Sequence, residues 1–175
     1  MNQHQKYIGT KIVNATPMTR GAYNDLRGWQ VPADENSNDE GYLVEYTDGG
    51  KANIKGFAGY ISWSPKDVFE RAYRPTSGMT FGQAIEAMKL GAKVSRAGWN
   101  GKGMYLWILP ETVVPIDWIK EEHLREIADG SYDKTVHCLP SIRMFTVNAQ
   151  GRRAVLTGWL ASQTDILSED WCIVL

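Results

Sequence analysis

The clearest local structure in this chain is predicted for the stretch Thr80-Phe81-Gly82-Gln83-Ala84-Ile85-Glu86-Ala87-Met88-Lys89-Leu90-Gly91. Thr80 and Gln83 have the spacing of a capping box, in which each side chain accepts a hydrogen bond from the backbone N–H of the other residue. The apolar residues recur at helical spacing, and Gly91 is typical of a helix end. The stretch therefore predicts an amphipathic helix at the start of a structural unit.

Short apolar runs follow this helix and have the pattern of strands. We predict strands over residues 93–96, 104–109, 142–147, 154–160 and 171–175, and a second helix over residues 115–129. The third and fourth of these strands are expected to form a hairpin. The order of elements indicates an α+β fold with small antiparallel sheets and a few short helices, rather than alternating βαβ units.

The first 74 residues predict a separate small α+β unit. Strands are expected over residues 7–15, 42–47 and 59–63, with a short helix after Thr19 and an acidic loop over residues 32–41. Ser64 and Pro65 suit the cap and the first position of a further helix. Because residues 75–78 have the composition of a linker, we place one domain at residues 1–74 and the other at residues 79–175.

Composition excludes several classes of protein. The net charge is −1, so no global basic field favours DNA or RNA. No apolar run approaches the roughly 18 residues of a membrane span, and the polar first residues lack the pattern of a signal peptide. The two cysteines are too far apart for a metal knuckle. These features predict a cytoplasmic protein with no membrane partner.

The residue types that carry catalysis do not form a recognised set. The chain lacks the HExxH and CxxC spacings of metal sites, and it lacks the nucleophile-elbow pattern of a serine or cysteine nucleophile. His137 and Cys138 are neighbours in a strand, so their side chains point to opposite faces. His123 falls in the apolar stripe of the second helix, which predicts a packed or interface histidine. We predict no catalytic residue, no metal site and no cofactor.

Two blocks of sequence combine an indole with small residues and uncharged polar side chains. They are Arg96-Ala97-Gly98-Trp99-Asn100-Gly101-Lys102-Gly103-Met104 and Gly158-Trp159-Leu160-Ala161-Ser162-Gln163-Thr164-Asp165. This chemistry is typical of a pocket that holds a flat polar ligand without transforming it. A tight hairpin with a packed tryptophan is the alternative for the first block, which lacks Walker spacing. In the second block, Ser162 or Asp165 is expected to cap a helical turn.

The C-terminal half resembles the phage Thoeris anti-defence sponges of the second type. The stretches that carry the resemblance are Met79-Thr80-Phe81-Gly82-Gln83-Ala84, Arg96 to Tyr105, Trp159 to Asp165, and Glu169-Asp170-Trp171. The resemblance implies a non-enzymatic homo-oligomer, a tetramer, with pockets between protomers. It implies binding of cyclic ADP-ribose signals from bacterial TIR-domain enzymes, with cyclic dinucleotides as a second ligand class, in the host bacterial cytoplasm.

The resemblance also implies a set of binding residues. Carried over by motif, they are Phe81, Trp99, Asn100, Gly101, Gly103, Met104, Trp159, Ala161, Ser162 and Asp165. The aromatic rings are expected to meet the adenine, with the two indoles facing an open cleft that admits a purine. The polar side chains are expected to contact ribose or base, and the backbone from Gly101 to Gly103 to meet the diphosphate.

The first half resembles a small module found at the start of many phage proteins. The resemblance rests on Arg27-Gly28-Trp29, Asp39-Glu40-Gly41-Tyr42-Leu43-Val44 and Gly59-Tyr60-Ile61-Ser62-Trp63-Ser64-Pro65. It implies an accessory domain. Two other functions stay open for the whole chain, namely a nucleotide-degrading enzyme and a structural or partner-binding phage protein.

Overall fold

The chain divides into two compact units, Met1–Arg74 and Pro75–Leu175. The computed structural model describes residues 5–101 and 103–175. Both units combine antiparallel sheets with short helices, so the predicted α+β class with small antiparallel sheets is confirmed. Among the described residues, no helix has the length and apolar character needed to cross a membrane.

The N-terminal unit is a three-stranded antiparallel sheet with two helices. In chain order its elements are β1 (Asn14–Pro17), α1 (Arg20–Arg27), β2 (Gly41–Tyr46), β3 (Tyr60–Pro65) and α2 (Lys66–Ala72). The sheet order is β1-β2-β3. Its core is formed by Tyr23, Leu43 and Ile61, all at least 94% buried. Thr19 caps α1 by accepting a hydrogen bond from the Ala22 N–H, as the sequence predicted.

Two predictions for this unit are wrong. The first strand begins at Asn14 rather than at residue 7, because on this side β2 pairs with residues 14 to 17 and with none of residues 7–13. Tyr7 and Ile8 are almost fully exposed instead. Ser64 does not cap α2: it lies within β3 opposite Tyr42, and Pro65 takes the cap position without a side-chain hydrogen bond.

The C-terminal unit is built around a five-stranded antiparallel sheet. The strands of the C-terminal unit are β4 (Lys93–Arg96), β5 (Tyr105–Leu109), β6 (Thr112–Pro115), β7 (Thr135–Cys138), β8 (Ser141–Val147), β9 (Arg153–Thr157) and β10 (Trp171–Val174). Its helices are α3 (Phe81–Lys89), α4 (Glu122–Gly130) and α5 (Gln163–Leu167). The large sheet has the order β10-β4-β5-β8-β9, while β6 and β7 pair with each other.

Helix α3 covers one face of the large sheet. The capping box predicted for Thr80 and Gln83 is present, with both reciprocal hydrogen bonds. Ala84 and Met88 of the helix pack with Val94, Leu106 and the fully buried Trp171. Each large apolar side chain removed from water contributes about 1.5–3 kcal/mol, so this layer is the main stabilising contact of the unit.

Strands β5 and β8 continue beyond the large sheet as a two-stranded ribbon. Leu109 pairs with Ser141 and Thr112 pairs with Cys138, which is one unbroken register. Pro110 and Pro140 divide the ribbon into two ladders because proline has no N–H to donate. We call residues 110–140 the arm. The six residues from Pro110 to Pro115, four of them strand, extend the ribbon by up to about 20 Å beyond Leu109.

The tip of the arm differs from the predicted helix over residues 115–129. Pro115 ends a strand, a single 3-10 turn follows, and α4 begins only after Glu121. The Glu121 carboxylate caps α4 by accepting from the N–H groups of His123 and Leu124. His123 does not pack within the chain, since its side chain is 85% exposed. The other alternative, an interface histidine, stays a prediction.

Candidate ligand-binding site

Four aromatic side chains meet at one end of the large sheet, on the side of α3. We call Phe81, Trp99, Trp159 and Trp171 the tryptophan cluster. Phe81 begins α3, Trp99 follows β4, Trp159 follows β9 and Trp171 begins β10. Their ring centroids lie 5.3–6.4 Å apart in tilted or edge-to-face arrangements. Elements distant in sequence therefore bring both aromatic blocks to one place.

Trp99 and Trp159 contact each other directly. Their centroids are 6.1 Å apart with the planes at 61°, which is within the range of direct aromatic contact. The expected slot for a purine between the two indoles is therefore closed in the single chain. Both rings are half-buried, whereas Trp171 beneath them is sealed. The accessible parts of Trp99 and Trp159 are their outer surfaces.

A network of charged side chains holds the cluster in place. Arg96, at the end of β4, binds Asp165 through Nη1 at 2.8 Å and Asp170 through Nε at 2.8 Å. The Trp99 indole N–H donates to Asp165 Oδ1 at 3.0 Å. The Trp171 indole N–H donates to the backbone carbonyl of Asp165 at 2.9 Å. One aspartate thus fixes two members of the cluster.

Asp165 also caps α5. Its Oδ2 accepts from the backbone N–H and the hydroxyl of Ser162, and the Ser162 hydroxyl accepts from the Asp165 N–H. The predicted capped helical turn is confirmed. Burial on its own would raise the pKa of Asp165. The hydrogen bonds from Trp99, Arg96 and Ser162 outweigh it and hold the pKa well below the usual range.

The carboxylate of Asp165 points inward to protein partners. Because both oxygens already accept hydrogen bonds, Asp165 positions the cluster instead of supplying a free polar contact. Sequence reasoning missed Arg96, Asp170 and Trp171 as site residues. The only available signal was their presence in the stretches that carry the family resemblance.

Gly98 is needed for a close approach to Asp170. Its N–H donates to Asp170 Oδ2 at 2.7 Å, and a Cβ at this position would lie 2.7 Å from the same oxygen. We expect Gly98→Ala to lower the free energy of unfolding by about 1–3 kcal/mol, the usual cost of overpacking. Chemical denaturation of the purified variant measures this loss.

Gly82→Ala is the matched control for this prediction. Gly82 lies in α3, and an added Cβ would meet nothing closer than the Thr80 hydroxyl at 3.9 Å. Alanine should raise stability here by about 0.5–1 kcal/mol because it has the higher helix propensity. Equal effects of the two substitutions would show that the Gly98–Asp170 contact is not tight.

The remaining predicted residues lie on the loop after Trp99 or beside the cap. Asn100, Gly101 and Gly103 are exposed, and Gly103 has a φ of +77°, a conformation that favours glycine. A Cβ at Gly101 would overlap the end of the Met104 side chain. Ala161 precedes the Ser162 cap. Lys102, inside the proposed diphosphate loop, lies outside the described residues.

Comparison with known proteins identifies this unit. Residues 79–174 match the model of the Tad2-like family, the Thoeris anti-defense 2-like domain. A protein of Bacillus phage SP01 named Thoeris anti-defense 2 is 34% identical over 98 residues, which is 55% of this chain and 94% of that relative. The chain belongs to the Thoeris anti-defense 2-like family. The resemblance noted in the sequence is thereby confirmed, and family membership supports a counter-defence role against Thoeris.

In this Thoeris anti-defense 2-like domain, the carboxylates of Asp165 and Asp170 are poorly suited to proton transfer near neutral pH. Hydrogen bonds from Arg96 outweigh burial and lower the pKa of Asp170, and that of Asp165 is lowered too. General acid–base catalysis works best with a pKa near the operating pH. The geometry of the two side chains is therefore one of charge pairing and positioning.

These lowered pKa values predict a pH dependence of stability. An unfolded aspartate titrates near 3.9, so the network stabilises the fold fully only above about pH 5. The stabilisation should be lost as the pH falls through the lower pKa values of the folded state. Urea denaturation at pH 7, 4 and 2.5 measures this loss. The variant Asp165→Asn should show a smaller dependence, and an unchanged dependence would contradict the assignment.

Apolar side chains are exposed beside the cluster. Leu160 is 89% exposed and Leu167 is 78% exposed, and they flank the α5 segment that carries Asp165. Exposed leucines of this size next to half-buried indoles are typical of a surface that a ligand or a second protein copy covers.

The N-terminal unit has a separate open cavity of about 560 Å³. It is lined mainly by acidic side chains, with Arg20 and Trp63 on its wall. Arg20 pairs with Glu35 and lies 5.0 Å from the Trp63 ring centroid. Because Arg20 is already paired and the other charges of the lining are acidic, which repel phosphate groups, the cavity is a poor candidate for nucleotide binding.

Proposed function

We propose that this chain is a phage counter-defence protein that binds and sequesters a cyclic nucleotide signal without cleaving it. The ligand class is the cyclic ADP-ribose type implied by the family resemblance, with cyclic dinucleotides as a second class. The observation that supports the proposal most strongly is the tryptophan cluster, which is held rigidly by Arg96, Asp165 and Asp170. Preformed sites bind tightly because little ordering remains to be done on binding.

The aromatic surfaces fit a nucleobase. Stacking of one base on an aromatic ring contributes about 1–3 kcal/mol. We propose the outer surfaces of Phe81, Trp99 and Trp159 for this role. Two such stacks would supply about 2–6 kcal/mol of the roughly −12 kcal/mol that nanomolar binding requires, so polar contacts and further burial in the pocket must supply the rest.

Polar contacts come from the exposed groups around the cluster. We propose the side chains of Asn100 and Ser162 for ribose or base, and the backbone at Gly101 and Gly103 for the diphosphate. Met104 and Ala161 would complete the wall. Asp165 acts indirectly, through the orientation of Trp99.

A second copy of the chain is proposed to complete each pocket. The exposed leucines beside the cluster support a site that a second protomer completes. A homo-oligomer, a tetramer in this proposal, supplies the missing wall. Sequestration would take place in the host cytoplasm, and residues 1–74 would act as an accessory domain.

Equilibrium dialysis tests the proposal. Purified protein on one side of the membrane should lower the free concentration of a cyclic ADP-ribose isomer in proportion to the binding sites present. A thermal-shift assay should show a stabilisation of about 2.7 kcal/mol at a ligand concentration one hundred times Kd. No depletion and no shift with cyclic ADP-ribose isomers or cyclic dinucleotides would favour a structural or partner-binding role instead.

A further inference from the structure

Within the C-terminal unit, the face of the large sheet opposite α3 is only partly buried: Tyr105, Trp107 and Phe145 are half-buried and Val155 is 53% exposed. Val94, Leu106 and Trp171 point to α3, so by strand alternation Lys93, Tyr105 and their neighbours point the other way. Of the described helices, only α3 packs broadly against this sheet. We call the second side the open face. Its central side chains are Lys93, Tyr105, Trp107, Arg143, Phe145, Arg153 and Val155.

Four of these side chains form a ladder across the strands. Lys93 Nζ lies 5.3 Å from the Tyr105 ring centroid, and Tyr105 stacks on Phe145 at 5.0 Å. The Arg153 guanidinium lies 5.3 Å from the Phe145 centroid on a neighbouring strand. Because these contacts occupy faces of both rings, the ladder leaves mainly ring edges for a partner. Such a surface suits packing against protein side chains better than stacking of a base.

The open face is positively charged without compensation. Among the described residues, Lys93, Arg143 and Arg153 form no ion pair with a carboxylate, and the strands direct no Asp or Glu side chain to this face. The Nε of Arg143 is buried and has no hydrogen-bond partner. Two identical open faces would repel each other, so the partner surface must be acidic.

The arm has the complementary character. Residues 110–140 contain seven acidic and three basic residues. Glu122, Glu126 and Asp129 recur at helical spacing along α4. Large apolar side chains beside them face solvent: Trp118 is 77% exposed and Ile127 is 59% exposed. An acidic surface with exposed apolar side chains is complementary to the basic open face.

We infer that the arm of one copy docks on the open face of a second copy, with Glu122 and Glu126 of α4 meeting Arg143 and Arg153. The ribbon carries the arm away from its own sheet, so the contact is made between chains. A two-fold arrangement makes it twice, since each copy has one arm and one open face. The inference rests on the homo-oligomer in the proposed function and names the surfaces that build it.

Charge reversal tests this docking. The double variant Arg143→Glu with Arg153→Glu should raise the dissociation constant of the assembly by roughly tenfold or more, because like charges then face each other. Glu122→Lys with Glu126→Lys should have the same effect. Native mass spectrometry measures the loss of assembly. Lys51→Glu with Lys55→Glu, on an exposed loop of the N-terminal unit, is the matched control and should leave the assembly unchanged.

Mixing the two interface variants gives the decisive result. In a mixed pair, the acidic open face of the first variant meets the basic arm of the second variant. The wild-type arm of the first variant meets the wild-type open face of the second, so a mixed assembly should form again. A misfolded variant would not be rescued in this way. A monomeric wild type, wild-type assembly in both variants, or no rescue on mixing overturns the inference. Dialysis of the same samples against the nucleotide tests the proposed function separately. If charge reversal leaves the assembly unchanged and the assembly still binds the ligand, only the docking is contradicted.

Discussion

Replacement of Asp165 by alanine is expected to lower the free energy of unfolding of the C-terminal unit by about 3–5 kcal/mol, the usual cost of removing one partner of a buried ion pair. The carboxylate pairs with Arg96, accepts from the Trp99 indole and caps α5. Its removal deprives the Arg96 guanidinium, which is only 11% exposed, of one of its two counterions. Chemical denaturation followed by tryptophan fluorescence measures the change.

Two controls separate the parts of this effect. Ser162→Ala removes the cap but keeps the ion pair, so it should cost only about 1 kcal/mol. Asp67→Ala removes an aspartate whose side chain is 78% exposed in the N-terminal unit, and it should change stability by less than about 0.5 kcal/mol. If Asp165→Ala costs no more than Ser162→Ala, the ion pair does not support the cluster.

Replacement of Trp159 by alanine is expected to weaken nucleotide binding by about fivefold to more than a hundredfold. This range corresponds to the loss of one base stack of about 1–3 kcal/mol. Trp159 is the suitable member of the cluster because its indole is half-buried and its ring is not tied to Asp165. Isothermal titration calorimetry with a cyclic ADP-ribose isomer measures Kd.

Trp29→Ala is the control for this substitution. Trp29 is 53% exposed in the N-terminal unit, so its removal should leave Kd unchanged. Trp159→Phe retains an aromatic ring and should fall between the wild type and Trp159→Ala. Because Trp159 also packs on the core, the thermal stability of each variant is measured beside the titration. An unchanged Kd for a folded Trp159→Ala variant would remove the cluster from the proposed site.

Local sequence rules predicted the elements that depend on neighbouring residues. The capping box of α3 was predicted from Thr80 with Gln83, and a capped turn at α5 was predicted with Ser162 or Asp165 as the capping residue. Interactions within three residues are enough to determine them. The predicted α+β class rests on the same kind of pattern.

The predictions that failed depended on tertiary pairing. Residues 7–13 have strand composition, but β2 offers no partner to them. The isoleucines at positions 116 and 119 have helical spacing with Leu124, yet Pro115 pairs with Thr135 and holds the chain in a strand. A hydrophobic pattern cannot show whether a segment forms a helix or a strand when the outcome depends on pairing with a strand distant in sequence.

The candidate site was predicted in composition but not in geometry. Both aromatic blocks were identified, and the structure brings Phe81, Trp99 and Trp159 together. The inward orientation of Asp165 was not foreseeable, because its partner Arg96 lies 69 residues away in sequence. The open face likewise depends on the register of β5, β8 and β9, which no local rule supplies.

Mass analysis of the captured ligand tests the central claim most directly. The protein is incubated with a cyclic ADP-ribose isomer, separated from free ligand and heated, and the released molecule is examined by liquid chromatography with mass spectrometry. Sequestration predicts recovery of the unchanged cyclic nucleotide, in an amount matching the occupied sites. Recovery of a linear or cleaved product would contradict it and would identify an enzyme.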